Sequence, residues 1–158
     1  MSTDTLERLY QLIAEKLVEI IPDEWKKIYL YAEILSDSRT IYFYYESQTL
    51  NRLVYSHNIP ETYEVEESIY NDMLSELGQY FDALHAESKK ISLEDWSSLT
   101  MYLDNTGKFS IDFDYKGKYK LGLGLQKVVW KYEVLGIYPS DEYYQKKLDD
   151  YLKNQEHN

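Results

Sequence analysis

The spacing of apolar residues switches from helical to extended across Ile21-Pro22, and no other feature constrains the fold of this chain as much. Leu6, Leu9, Tyr10, Ile13, Leu17, Ile20 and Ile21 recur every three or four residues, which places them on one face of an amphipathic helix. Asp4 with Glu7, or Thr5, is positioned to cap its start, and Pro22, lacking an N–H, ends it. The polar face mixes Glu7, Glu15 and Glu19 with Arg8 and Lys16, a pattern that suits packing on a core better than lying on a membrane. From Trp25 the period is two: Ile28, Leu30, Ala32 and Ile34 take one face, Tyr29, Tyr31 and Glu33 the other. Ser36-Asp37-Ser38 reads as a turn, and the aromatic, β-branched run RTIYFYYES completes a hairpin.

The rest of the chain repeats these two periods. Leu50 to Tyr55 predicts a third strand before a loop at Pro60. Val65, Ile69, Met73, Leu77, Tyr80, Phe81 and Leu84 then trace the inward stripe of a second helix, weakened at Gly78. A second hairpin follows: Leu99, Met101 and Leu103 alternate with Thr100, Tyr102 and Asp104, Asn105-Thr106-Gly107 forms the turn, and Phe109, Ile111, Phe113 and Tyr115 alternate with Ser110, Asp112 and Asp114. After the glycine-containing KGKYKLGLGL come a short helix over 126–135, stopped at Gly136, and a last helix opened by Pro139 and Ser140-Asp141 and running through Tyr151. The order α-β-β-β-α-β-β-α-α predicts an α+β fold, with an antiparallel sheet of about five strands covered by helices on one face, in a single domain over residues 1–158. The uncovered face is expected to be wet and to present Tyr102, Asp104, Asp112 and Asp114 together.

At 158 residues the chain can bury a core without a disulfide or metal staple, and it has no cysteine. No basic n-region, h-region or run of apolar residues long enough to span a bilayer appears, so a cytoplasmic protein without membrane association is expected. The net charge of −11 is concentrated: residues 53–88 contain no Lys or Arg but eight carboxylates, Glu61, Glu64, Glu66, Glu67, Asp72, Glu76, Asp82 and Glu87. Such a field repels nucleic acid, itself a polyanion, and attracts a cationic protein.

Catalytic constellations are not evident. His57, His85 and His157 fall in no metal-ligand spacing, and His85 reads as a helix-surface residue beside Asp82. Gly122 and Gly124 lack the third glycine of a dinucleotide fingerprint, and Gly117-Lys118 lacks the partners of a phosphate loop. Asp112 and Asp114 point the same way from one strand and have the geometry for a divalent cation, but a solvated strand face accounts for them more simply. The expectation is a protein without catalytic residues, metal or cofactor.

Three stretches, IPDEWKKIYLYAEILSDSRTIYFYY, FSIDFDY and VVWKYEVLGIYPSDEYYQKKLDDYL, together resemble the YezG/EsaG-like family of bacterial antitoxin (immunity) proteins. The most telling pieces are Ile21-Pro22, Glu24 and Trp25 before an aromatic strand, and the run from Trp130 to Pro139. The resemblance implies a non-enzymatic inhibitor of a nuclease toxin exported by type VII secretion. Residues 116–124 depart from the more acidic linker expected there, which leaves the cognate toxin open. A nuclease grips a polyanion in a basic groove, so carboxylates and tyrosines can stand in for phosphates and bases. The docking set expected on this reading is Glu61, Tyr63, Glu64, Glu66, Glu67, Tyr70, Asp72, Glu76 and Asp82, with Asp112 and Asp114 and the tyrosines of the first hairpin as further candidates. Binding away from the groove, a chaperone-like adaptor for a secretion substrate, and a small-ligand module with an aromatic-lined pocket remain open alternatives.

Overall fold

The first helix, α1 (Ser2–Ile20), begins two residues before Asp4, which therefore lies in its first turn, where a negative charge complements the helix dipole. The computed structural model describes residues 2–91 and 95–156. Contacts divide the chain into two compact units, Met1–Lys116 and Gly117–Asn158.

The first unit is two-layered. After α1 come β1 (Trp25–Ile34), β2 (Arg39–Ser47), β3 (Arg52–Tyr55), a 3-10 turn (Ser56–Asn58), a short α2 (Ile59–Tyr63), the long α3 (Glu67–Ile91), β4 (Ser98–Asp104) and β5 (Phe109–Asp114). The five strands form one antiparallel sheet in the order β3-β2-β1-β4-β5. The α+β class, the five antiparallel strands and the order of the long elements are as the sequence predicts, and α2 is an added short helix. The inward faces of β1 and β4 are also as expected, whereas Phe109 and Tyr115, read on the apolar face of the second hairpin, are each 45% exposed. Ile28, Leu30, Ala32 and Ile34, with Leu99, Met101 and Leu103, are buried in one core with Leu9, Ile13, Leu17 and Ile20 of α1 and Leu77, Phe81 and Leu84 of α3. Each fully buried Ile, Leu, Met or Phe side chain among them contributes about 1.5–3 kcal/mol.

Two expectations are corrected. The inward stripe of α3 does not include Ile69, which is 51% exposed; Tyr70, 3% exposed, takes the inward position. Val65 precedes the helix, so counting from it puts the helical phase one residue out, whereas Tyr70, Leu77, Phe81 and Leu84 keep the true phase. The second sheet face is not wet at its centre. Tyr31, Tyr42, Tyr44, Ser98 and Thr100 are buried there, and Tyr31–Tyr42 and Tyr44–Tyr55 stack with ring centroids 5.2 and 4.9 Å apart. Burial pushes the Tyr31 and Tyr44 hydroxyls well above the usual phenol range.

The β4–β5 turn is held by Asp104, whose carboxylate accepts hydrogen bonds from the Thr106 hydroxyl and from the N–H groups of Thr106 and Lys108. Gly107 supplies the required positive φ of 90°.

In the second unit, α4 (Leu123–Trp130) runs on through a π-helical turn (Lys131–Leu135) to Gly136, whose left-handed φ of 71° ends it. This helix begins three residues before the expected Gln126. Asp141 caps α5 (Glu142–Glu156) by accepting the N–H groups of Tyr143 and Tyr144. Gly124 leaves room for the Tyr144 hydroxyl, which a Cβ at that position would strike.

Candidate functional site

The acidic stretch folds into a corner followed by a helix face, and its carboxylates have unlike surroundings. The corner starts where β3 ends. Ser56, fully buried, accepts the Phe43 N–H on its hydroxyl at 3.1 Å, and Ile59 enters the core, so the chain must turn off the sheet edge there. Pro60 at the start of α2 fits a helix N-terminus, where its missing N–H is not needed. Glu64 ends α2 in the left-handed conformation, φ 54°, with its N–H on the Pro60 carbonyl. A β-carbon makes that conformation costly by about 1–2 kcal/mol, so glycine or asparagine usually fills it. The corner thus holds a carboxylate where local energetics favour another residue.

Tyr63 is a strut for this corner. Its hydroxyl donates to Asp23 at 2.7 Å and accepts the Tyr45 hydroxyl at 2.8 Å. Asp23 also accepts the Ser47 hydroxyl and the Glu24 N–H. Burial alone would raise the Asp23 carboxyl, but the hydrogen bonds from Ser47, Thr49, Tyr63 and the Glu24 N–H outweigh it and hold the group below its usual range. The segment after α1 is thereby tied to α2, which limits the freedom of Glu61 and Glu64 before any partner arrives.

Glu61, Glu64, Glu66, Glu67 and Asp72 are all exposed, and none has an ion-pair partner among the described residues. Ile69, on α3 three residues before Asp72, supplies an exposed apolar side chain beside these carboxylates in the chain. Nothing in the sequence pattern separates it from the core stripe. Tyr70, expected to be an anchor, instead closes the core, with its hydroxyl 3.3 Å from His57 Nδ1 and its pKa pushed up to about 12 by burial.

Further along α3 the charge is matched internally. Glu76 pairs at 2.8 Å with Lys16, a lysine only 7% exposed that also meets Glu19 at 2.9 Å. Glu76 and then Glu19 hold the Lys16 ammonium above its usual range. Asp82 pairs with Arg39, whose guanidinium lies against the helix backbone at Gly78 and reaches the Ser75 carbonyl at 3.4 Å. A β-carbon at Gly78 would collide with that guanidinium, which gives this mid-helix glycine a reason the sequence does not show. His85 is not paired with Asp82: its Nε2 lies 2.9 Å from the Trp96 carbonyl and 2.6 Å from Asp95.

Asp112 and Asp114 stand apart. They are on β5, at the opposite edge of the sheet from β3, roughly 19 Å away by four inter-strand spacings of about 4.8 Å. Asp114 accepts the Ser98 hydroxyl at 3.2 Å and the Lys116 N–H at 3.1 Å. Of the tyrosines of the first hairpin that alternate outward, Tyr31, Tyr42 and Tyr44 are 0%, 4% and 7% exposed, and Tyr29 is half-buried. Among the described residues no three His, Asp or Glu side chains gather as metal ligands, and no helix is long and apolar enough to cross a membrane. His157 lies outside the described residues.

A family model described as Immunity protein YezG-like matches residues 6–149. The chain belongs to that YezG-like immunity protein family. It is 44% identical to the protein named Immunity protein YezG of Bacillus spizizenii over 158 residues, covering 99% of this chain and 98% of that one. The protein of the same name from Bacillus subtilis is 41% identical over 139 residues, 87% of this chain and 92% of that one. The Type VII secretion system protein EsaG of Staphylococcus aureus is 28% identical over 158 residues, 97% of each chain. The YezG-like match begins in α1 and ends in α5, so it includes the corner and the second unit as far as Asp149.

Proposed function

We propose that this YezG-like chain is a cytoplasmic, non-enzymatic antitoxin that binds and neutralises a cognate secreted nuclease toxin. The observation that carries the reading is the corner of Glu61, Glu64, Glu66, Glu67 and Asp72, exposed and without an ion-pair partner among the described residues, with the exposed Ile69 on α3. A basic substrate groove is the natural complement of such a surface. Charge steering accelerates capture, and an exposed apolar side chain then adds contact area where water can be excluded. On this reading Tyr63 positions the corner, while Glu76 and Asp82 serve the fold of the immunity protein itself. The name of the staphylococcal relative, a secretion-system protein, supports a second reading as an adaptor that carries the toxin to export.

The test mixes a candidate cognate nuclease domain with the protein at equal molar amounts. Near-complete loss of DNA cleavage with a stable complex on gel filtration is the expected outcome. A stable complex that still cleaves DNA would favour the adaptor, and full cleavage with no complex would refute both.

A further inference from the structure

A second surface of the first unit is built for contact and is separate from the acidic corner. Along α1, Glu7, Tyr10, Gln11, Ala14, Glu15 and Val18 follow helical spacing on a side that flanks the core stripe of Leu9, Ile13 and Leu17, with Tyr10 and Ala14 partly buried against the core. Opposite them are Trp25 at the start of β1, Leu103 at the end of β4, and Phe109 at the start of β5. Together they form an open groove of about 560 Å³. Val18 is 56% exposed and Phe109 45%, and the Tyr10 and Phe109 rings lie 5.3 Å apart between centroids. Large apolar side chains left in water along a groove rimmed by polar groups mark a contact surface.

The rim selects the occupant. Its charged members are Glu7, Glu15 and Asp104, and among the described residues no Lys or Arg lines the groove. Hydrogen bonds from Thr106 and the Lys108 N–H hold the Asp104 carboxyl below its usual range, so this end of the rim stays anionic into the acid range. A second copy of this chain, with its net charge of −11, would bring carboxylate against carboxylate, and an anionic lipid surface would be repelled in the same way. The complement is an amphipathic segment that carries large apolar side chains beside Lys or Arg. A basic nuclease offers such segments on its surface.

We infer that the groove between α1 and the β4–β5 hairpin seats an apolar, basic-flanked segment of the toxin, as a second contact beyond the acidic corner. This rests on the toxin-binding function proposed above. The two surfaces divide the kinetics. Exposed charge at the corner governs how fast the partners meet, whereas apolar burial in the groove governs how slowly they part.

Binding kinetics of the full chain with the toxin domain separate the two ideas. Val18→Lys places a cation in the mouth of the groove at an exposed helix position, and Phe109→Ala removes one wall. Both variants should dissociate at least tenfold faster than the unaltered protein, with association within about twofold. Nile red, a neutral apolar probe, should brighten in the groove of the free protein and be displaced by saturating toxin. If both variants dissociate at the unaltered rate, or if Nile red stays bound in the complex, the groove is not a toxin contact. If the unaltered protein forms no complex at all, the failure is that of the toxin-binding function, and the groove proposal falls with it.

Discussion

The acidic stretch holds two halves that look alike in composition and behave oppositely in the fold. From Glu61 to Asp72 the carboxylates are exposed and have no cation beside them among the described residues. From Glu76 to Asp82 they meet Lys16 and Arg39, brought from α1 and β2. A run of like charge in sequence is therefore not one electrostatic object. The first half projects a field outward, whereas the second half helps fasten α3 to its neighbours. A partner that senses charge should distinguish the halves, and so should the stability of the protein, in the opposite sense.

The largest effect is expected from reversing the outward half. Changing Glu61, Glu64, Glu66 and Glu67 to Lys should slow toxin association by about 10–100-fold and flatten its dependence on salt, as steered encounters do. Stopped-flow association at two ionic strengths measures both. Unchanged rates would show that the corner faces away from the toxin. Glu64→Gly sharpens the same point, because glycine relieves the left-handed backbone while deleting a carboxylate. Association should slow modestly while stability stays level or rises by up to about 1 kcal/mol.

Next in size is the strut. Asp23→Asn weakens the acceptor shared by Tyr63, Ser47 and the Glu24 N–H, and should cost about 1–3 kcal/mol in urea unfolding at pH 7. Because the fold holds the Asp23 carboxyl below its usual range, its ionised form stabilises the protein fully above the unfolded carboxylate pKa of about 3.9. That contribution fades as pH falls through the lower folded value, so the gap between variant and parent should narrow below about pH 4. A gap that stays constant into acid would mean that Asp23 does not act through its charge.

The smallest effects belong to the inward half. Glu76→Gln and Asp82→Asn should each change stability by less than about 1 kcal/mol, since both carboxylates are roughly half exposed, at 51% and 47%. Neither should alter toxin association by more than about twofold. A large kinetic effect from either would erase the distinction between the halves and extend the docking surface along α3.

How much of this was legible without coordinates differs by kind of residue. The two apolar periods placed α1, β1, β2, β4 and β5 and the inward sides of β1 and β4, because alternation and helical spacing are local and burial enforces them. The turn at Asn105–Gly107 and the stop at Gly136 were readable from residue chemistry alone. The site was less readable. Ile69 and Tyr70 exchange roles because α3 starts after Val65, and one residue of phase on a helix turns a core side chain into a surface one. The groove left only a faint trace, in Val18 falling off the inward stripe of α1.

By itself, then, the sequence determined the α+β class, the inward faces of β1 and β4 and the concentration of negative charge, which follow from short-range patterns or from simple counts, while the family was legible as a resemblance. Which carboxylates remain free to meet a partner was decided only when Lys16 and Arg39 were carried in from distant positions to Glu76 and Asp82 on α3, leaving the corner without an ion-pair partner among the described residues. Charge compensation depends on distance in space, and a single chain's order of residues does not record which cation will arrive beside which acid.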